Sequence, residues 1–202
     1  ANADWQPNIE RILRLKPDLI LSTTRWQNVN AQLANIAPTV VIDLPAPPPP
    51  WQEHLEAVAR VLNKEPENKH LIDEYWRRIE QLKQALGDRR HQIQVSVITV
   101  NPPHGIFTYG KKHPTGAVLN DIGLKRPLAQ SGDFSTMSNI SYERLLDIDG
   151  DVLFISYRGG KAAKEALDKL QQNPLWQKLK VVQQKRVYLV DSAHWYAFDV
   201  LA

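Results

Sequence analysis
Two loops place an arginine beside an aromatic ring: Arg25-Trp26 in "TTRWQN" and Tyr157-Arg158 in "YRGGK". Each follows an apolar run that reads as a strand, "DLILS" and "DVLFIS". Both pairs therefore fall at the carboxyl end of a strand, where open parallel sheets bind their ligands. Two further apolar runs end in aromatics: "IQVSVITV" precedes a loop exposing Phe107 and Tyr109, and "RVYLV" precedes Trp195 and Tyr196. Aromatic rings supply contact area at low entropy cost, and arginine offers a fixed fork of donors for carboxylate or catecholate oxygens and stacks on rings. The set suits capture of a large, flat or rounded anionic organic molecule. Any single member could equally be a core or a solvated loop residue; the binding expectation rests on several acting together.

Catalytic and metal chemistry find less support. The six histidines, His54, His70, His91, His104, His113 and His194, show no HxxxH or HExxH spacing, and scattered histidines are commonly structural. No GxSxG, GxxxxGK or GxGxxG follows a strand, and Ser22 and Ser156 lack a His-Asp pattern that would make them nucleophiles. The chain has no Cys, which excludes thiolate sites and disulfides but leaves the compartment open. Lys and Arg number 25 against 22 Asp and Glu, a net charge of +3 spread over both signs, so nucleic acid is not an expected partner. No apolar run approaches the roughly 20 residues that span a bilayer, and "ANADWQPNIE" lacks the basic and apolar regions of a signal peptide.

The elements that must position these residues are written twice. "IERILRLKPDLILS" and "YERLLDIDGDVLFIS" share Glu-Arg, an apolar helical stripe, Asp and an apolar strand. Glu10 aligns with Glu143, Arg11 with Arg144, Leu13 with Leu146 and Asp18 with Asp151. Asn8 and Ser141 occupy the capping positions, Pro17 and Gly150 the stops. Ile9, Ile12 and Leu13 form one helical face, and Tyr142, Leu145 and Leu146 the other. Glu10 and Glu143 fall in first helical turns, where a carboxylate favours the helix dipole whatever else it does. Between the copies, Leu71, Ile72, Tyr75, Trp76, Ile79, Leu82 and Leu86 recur at helical spacing up to Gly87, predicting one long amphipathic helix.

Strands alternating with helices on both sides of that rod predict an α/β fold with two Rossmann-like lobes, parallel sheets and a ligand cleft between facing strand ends. The expected divisions are a partial N-terminal lobe over 1–65, the connecting helix over 66–87 and a C-terminal lobe over 88–202. The first half lacks the strand and helix that precede the Glu-Arg helix of the second, so the chain is expected to be a piece of a longer protein.

The order of "PNIERILRLKPDLILS", "LANIAPTVVID", the long helix, "VLNDIGLKRP", "ISYERLLDIDGDVLFIS" and "NPLWQKLKVVQQKRVYLVD" resembles the substrate-binding proteins of ABC importers for ferric siderophores and vitamin B12, over nearly the whole chain. That resemblance implies a non-enzymatic receptor, periplasmic or lipid-anchored outside the cytoplasmic membrane, and monomeric. It would capture an iron chelate between Arg25, Trp26, Phe107, Tyr109, Tyr157, Arg158, Trp195 and Tyr196. It also implies that Glu10 and Glu143 dock the two lobes onto a membrane permease. Iron would be held by the chelator, so neither a cofactor nor a protein metal ligand is expected. "NPP" before "FTYGK" is also reminiscent of the B12 binders, which keeps cobalamin as the alternative ligand. From a different class, an α/β enzyme acting on an anionic small molecule stays open.

Overall fold
The computed structural model describes residues 7–45, 49–102, 105–137, 140–157 and 159–195. The chain divides into two compact units, Ala1–His70 and Leu71–Ala202.

In the first unit, helix α1 spans Ile9–Leu15; the Asn8 side chain accepts a hydrogen bond from the Arg11 N–H at 2.8 Å, and Lys16 ends the helix in the left-handed conformation. Strand β1, Ile20–Thr23, pairs in parallel with β2, Thr39–Ile42, through helix α2, Gln27–Ala34. Ile20, Leu33 and Ala37 form the core, with Ile9 and Ile12 packed on it. Leu13, expected on the same face, is instead 58% exposed. Helix α3, Trp51–Leu62, follows. Helix α4, Glu65–Leu86, runs through the division between the units as one element of 22 residues. Its Ile79 is buried, whereas Trp76 and Leu82 are exposed.

The second unit is built on strands β3, Val95–Asn101; β4, Gly105–Tyr109; β5, Thr136–Met137; β6, Val152–Tyr157; and β7, Val187–Asp191, in the order β5-β4-β3-β6-β7. Strands β3, β6 and β7 are parallel, as expected; β4 and β5 are antiparallel. The parallel core is therefore extended into a mixed sheet, because the stretch after β3 forms a hairpin rather than the expected loop. Helices α5, Pro114–Ile122, and α6, Lys161–Gln171, cover it. "NPLWQKLK" forms a 3-10 turn, Trp176–Lys178, before helix α7, Lys180–Gln183. Strand β7 ends the sheet order with Tyr188 and Leu189 about half exposed, and helix α8, Ser192–Trp195, follows it.

Period-two alternation splits the core between the two sheet faces. Ile98, Val100, Leu153 and Ile155 join Leu145, Ile148, Leu167 and Leu170 on one side; Val95, Val97, Tyr109 and Leu119 lie on the other.

The repeated segment survives in three dimensions. The second Glu-Arg helix spans Tyr142–Ile148, seven residues like α1 and displaced from it by 133 positions (142 minus 9). At that offset Ile9 and Tyr142 pack against their cores, as do Ile12 and Leu145. Leu13 and Leu146 both point outward. The second copy is a 3-10 helix rather than an α-helix. Its exit is fixed by Asp149, whose carboxylate accepts hydrogen bonds from the N–H groups of Gly150, Lys180 and Val181 at 3.0, 2.7 and 3.2 Å. Gly150 is needed for proximity: a Cβ there would lie 2.8 Å from the Gln94 carbonyl oxygen, which accepts from the N–H groups of Asp151 and Val152.

Candidate functional site
In the first unit the candidate residues stand on a braced loop. Beyond β1 the chain enters a 3-10 turn, Thr24–Trp26, directly before α2. The Thr24 hydroxyl donates to Asp43 Oδ1 at 3.0 Å and accepts from the Leu44 N–H at 3.1 Å, which ties the turn to the chain leaving β2. Asn30 donates from Nδ2 to the Thr23 carbonyl at 3.2 Å. Arg25 is thereby presented to solvent, with Trp26 half-buried beside it. The carboxyl end of β1, braced by the chain leaving β2, thus carries one exposed cation and one half-buried ring.

In the second unit, three candidates meet. Phe107 and Tyr109 alternate along β4 onto the same sheet face, where they join Phe154 and Trp195 in one cluster. The Trp195 ring lies 4.8 Å from that of Phe154, and its carbonyl accepts from the Thr115 hydroxyl at 2.9 Å, fixing α8 to the start of α5. Tyr109 corrects an expectation: it is 2% exposed rather than on a loop. Its hydroxyl donates to Thr99 Oγ1 at 2.6 Å, because strand pairing turns it inward. Phe107 likewise lies within β4 and is half-buried. Tyr157 ends β6 and packs with the cluster on the opposite face. Gly159 and Gly160 follow with φ of 74° and 88° and open space where a Cβ would stand. Arg158 and Tyr196 lie outside the described residues.

Behind the aromatic cluster is a polar group that the sequence did not single out. The Arg126 guanidinium donates from Nη2 to the Tyr109 carbonyl at 2.7 Å and to Gln130 Oε1 at 2.6 Å. Gln130 in turn accepts from the Val97 N–H and donates to Ser96 Oγ, both on β3. Burial lowers the Arg126 pKa to about 10. His113 caps α5, its Nδ1 accepting from the Thr115 N–H at 3.3 Å. Burial, and then the nearby charge of Arg126, push its pKa down to about 4. "HPTG", a capping residue before proline, was the available signal for this helix start. These groups tie the sheet to the start of α5, while Arg126 Nε and Nη1 are buried without a hydrogen-bond partner.

The docking candidates are exposed. Glu10 lies 3.9 Å from Arg14, both side chains more than four-fifths exposed. Glu143 is also exposed, and a hydrogen bond from the Ser141 hydroxyl, then its own backbone, holds its carboxyl below the usual range. Ser141 thus turns its side chain to Glu143 instead of capping the helix by a side-chain hydrogen bond as expected.

A pocket of about 560 Å³ opens where the carboxyl ends of α4 and α5 meet, lined by Glu80, Lys83, Arg90, His91 and Asp121 among others. It contains none of the predicted site residues, and its charges are partly matched internally: Lys83 pairs with Glu80 at 3.0 Å, and Asp121 accepts from the Tyr75 hydroxyl at 2.6 Å. Among the described residues no group of three or more His, Asp and Glu is placed to hold a metal ion. No described helix is long and apolar enough to cross a membrane.

A family described as "Periplasmic binding protein" matches residues 1–194. The probable siderophore-binding lipoprotein YfiY of Bacillus subtilis is 32% identical over 202 residues, which are 95% of this chain and 61% of that protein. The Fe(3+)-citrate-binding protein YfmC of the same organism is 32% identical over 198 residues, 96% of this chain and 59% of that protein. The chain thus spans about three fifths of the length of the curated relatives it matches. Among solved structures, Bacillus subtilis FeuA complexed with ferri-bacillibactin gives a TM-score of 0.75 at 25% identity, covering 96% of this chain and 71% of that one. Staphylococcus aureus SirA complexed with staphyloferrin B gives 0.77 at 24%, covering 97% and 70%, a likeness of fold.

Proposed function
Because the chain belongs to the periplasmic binding protein family, we propose that it forms part of the substrate-binding receptor of an ABC importer. The receptor captures a ferric chelate outside the cytoplasmic membrane and delivers it to a permease. The observation that carries this reading is the duplicated unit: two seven-residue helices 133 positions apart, each leading through a strand toward an Arg-aromatic pair. The relatives named for siderophore and ferric citrate binding point to the ligand class.

The proposed divisions are a partial N-terminal lobe over 1–65, a connecting helix over 66–87 and a C-terminal lobe over 88–202. In mechanism, Arg25 and Arg158 meet carboxylate or catecholate oxygens, while Trp26, Phe107, Tyr157, Trp195 and Tyr196 offer rings to the chelator. Tyr109 acts from behind, by fixing the strand that carries Phe107. The iron stays with its chelator, so the receptor needs no metal ligand of its own and performs no chemical step. Glu10 and Glu143 each engage one permease subunit.

Tryptophan fluorescence of the full-length protein, titrated with ferric catecholate, ferric hydroxamate, ferric citrate and cobalamin, tests this. A saturable response to one ferric chelate class is expected. A response to cobalamin alone would change the ligand, and silence toward all four would remove the receptor reading.

A further inference from the structure
The guanidinium behind the aromatic cluster is held firmly but not neutralised. Lys125, the residue before it, is tied to the start of β3: its N–H donates to the Ile93 carbonyl at 3.1 Å, and its carbonyl accepts from the Val95 N–H at 2.8 Å. From that anchor, Nη2 of Arg126 reaches the Tyr109 carbonyl and Gln130 Oε1. Gly116 leaves room for the other amino group, since a Cβ there would lie 3.1 Å from Nη1. Nε and Nη1 are shut off from solvent with no hydrogen-bond partner, and among the described residues no carboxylate lies close enough to raise the pKa of Arg126 against burial. A buried charge without a counter-charge is unfavourable in the empty protein. Its field reaches the rings: after burial, the Arg126 charge is what lowers the pKa of His113, whose imidazole is stacked on Tyr109.

Resting on the receptor reading above, we propose that Arg126 sets ligand charge: its unmatched cation favours ferric chelates of net negative charge over neutral ones of similar shape. The residue does not touch the ligand. It acts through its field, from behind the face that carries the half-buried Phe107 and Trp195. An anionic chelate brought to that face supplies the counter-charge that the chain withholds, so part of the burial cost is recovered only on binding. A unit charge about 10 Å away, at an effective dielectric of about 20, shifts a binding constant by roughly tenfold. Ferric iron offers both charge classes in one coordination geometry, because its tris-catecholate complex is multiply anionic and its tris-hydroxamate complex neutral. The ligand class narrows accordingly to catecholate or carboxylate chelates.

The test compares Arg126→Met, Arg126→Lys and Arg126→Gln with wild type in the full-length protein. Each is titrated calorimetrically with a ferric tris-catecholate, ferric citrate and a ferric tris-hydroxamate, and its unfolding midpoint is recorded. Wild type is expected to prefer an anionic chelate. Arg126→Met should lose about tenfold in affinity for that chelate, and less than about twofold for the neutral one where wild type binds it. Arg126→Lys keeps a cation but cannot reproduce the planar fork, so it should stay within about threefold of wild type. Arg126→Gln keeps a donor for the Tyr109 carbonyl without the charge, and replaces the Met variant in the comparison if that variant does not fold. A residue that merely braces the sheet would give equal losses for every chelate and no rescue by lysine. That pattern, an unaltered affinity in the uncharged variants, or a wild-type preference for the tris-hydroxamate would each overturn the charge proposal and leave the receptor reading standing. Silence of wild type toward every chelate would remove the receptor reading, and this proposal with it.

Discussion
The imidazole of His113 lies stacked on the ring of Tyr109, centroids 4.0 Å apart and planes 27° from parallel. Both residues are at most 3% exposed. Through this pair, the start of α5 rests on the strand that carries two of the candidate aromatics. The contact is available to a neutral imidazole, which can accept from Thr115 while a guanidinium lies nearby.

Stability is therefore expected to respond to mild acid. The His113 pKa, about 4 in the folded chain, lies below the ordinary 6.5, so the unfolded chain takes up the proton first. The contribution is complete above pH 6.5 and is lost as pH falls toward 4, reaching at most about 3 kcal/mol. His113→Asn keeps a capping acceptor and removes the titration. Urea unfolding from pH 7 to 4 should show a shallower loss in the variant; parallel curves would mean that the folded imidazole titrates normally.

Gly150→Ala should destabilise the second unit by about 1 to 3 kcal/mol. The new methyl group would crowd the Gln94 carbonyl at 2.8 Å, where the entry of β6 is anchored beside β3. Thermal unfolding followed by circular dichroism measures this, and an unchanged midpoint would show that the loop can move aside.

Replacing both Glu10 and Glu143 by Ala should abolish iron uptake by cells that depend on the protein. Chelate affinity, read by tryptophan fluorescence, should change by less than about twofold, since exposed charges govern docking more than distant binding. A comparable loss of affinity would move the glutamates into the ligand site.

Arg25→Ala and Trp26→Ala test the braced loop of the first unit. Each should weaken binding of the ferric chelate identified by fluorescence by about tenfold or more, as buried ring and arginine contacts do in other complexes. The exposed Arg25 should leave the unfolding midpoint unaltered. Calorimetric titration gives the affinity, and full retention in both variants would remove this loop from the site.

The sequence discloses local construction better than what covers it. Asn8 and Gly87 mark helix ends where capping chemistry predicts them, and the duplicated segment keeps its register. The periodicity of α4 identifies a helix but not the exposure of Trp76 and Leu82, because a stripe of apolar residues does not say what lies against it. Tyr109 illustrates the same gap from the other side. Read as part of a polar, proline-rich loop it belongs on the surface; as a hairpin residue, its alternation carries it into the core. Arg126 and Gln130 were invisible for another reason: their roles come from contacts with strands 17 to 34 positions earlier, and one sequence carries no record of such pairings.

Strand β7 terminates the hydrogen-bonded order of its sheet and displays Tyr188 and Leu189. Among the described residues its outer backbone edge is a template on which another extended chain could grow. Lys185 and Arg186 stand just before it and Asp191 closes it, charges of the kind that discourage edge-to-edge pairing. Neutralising the two cations is expected to favour self-association along this edge, which light scattering would read.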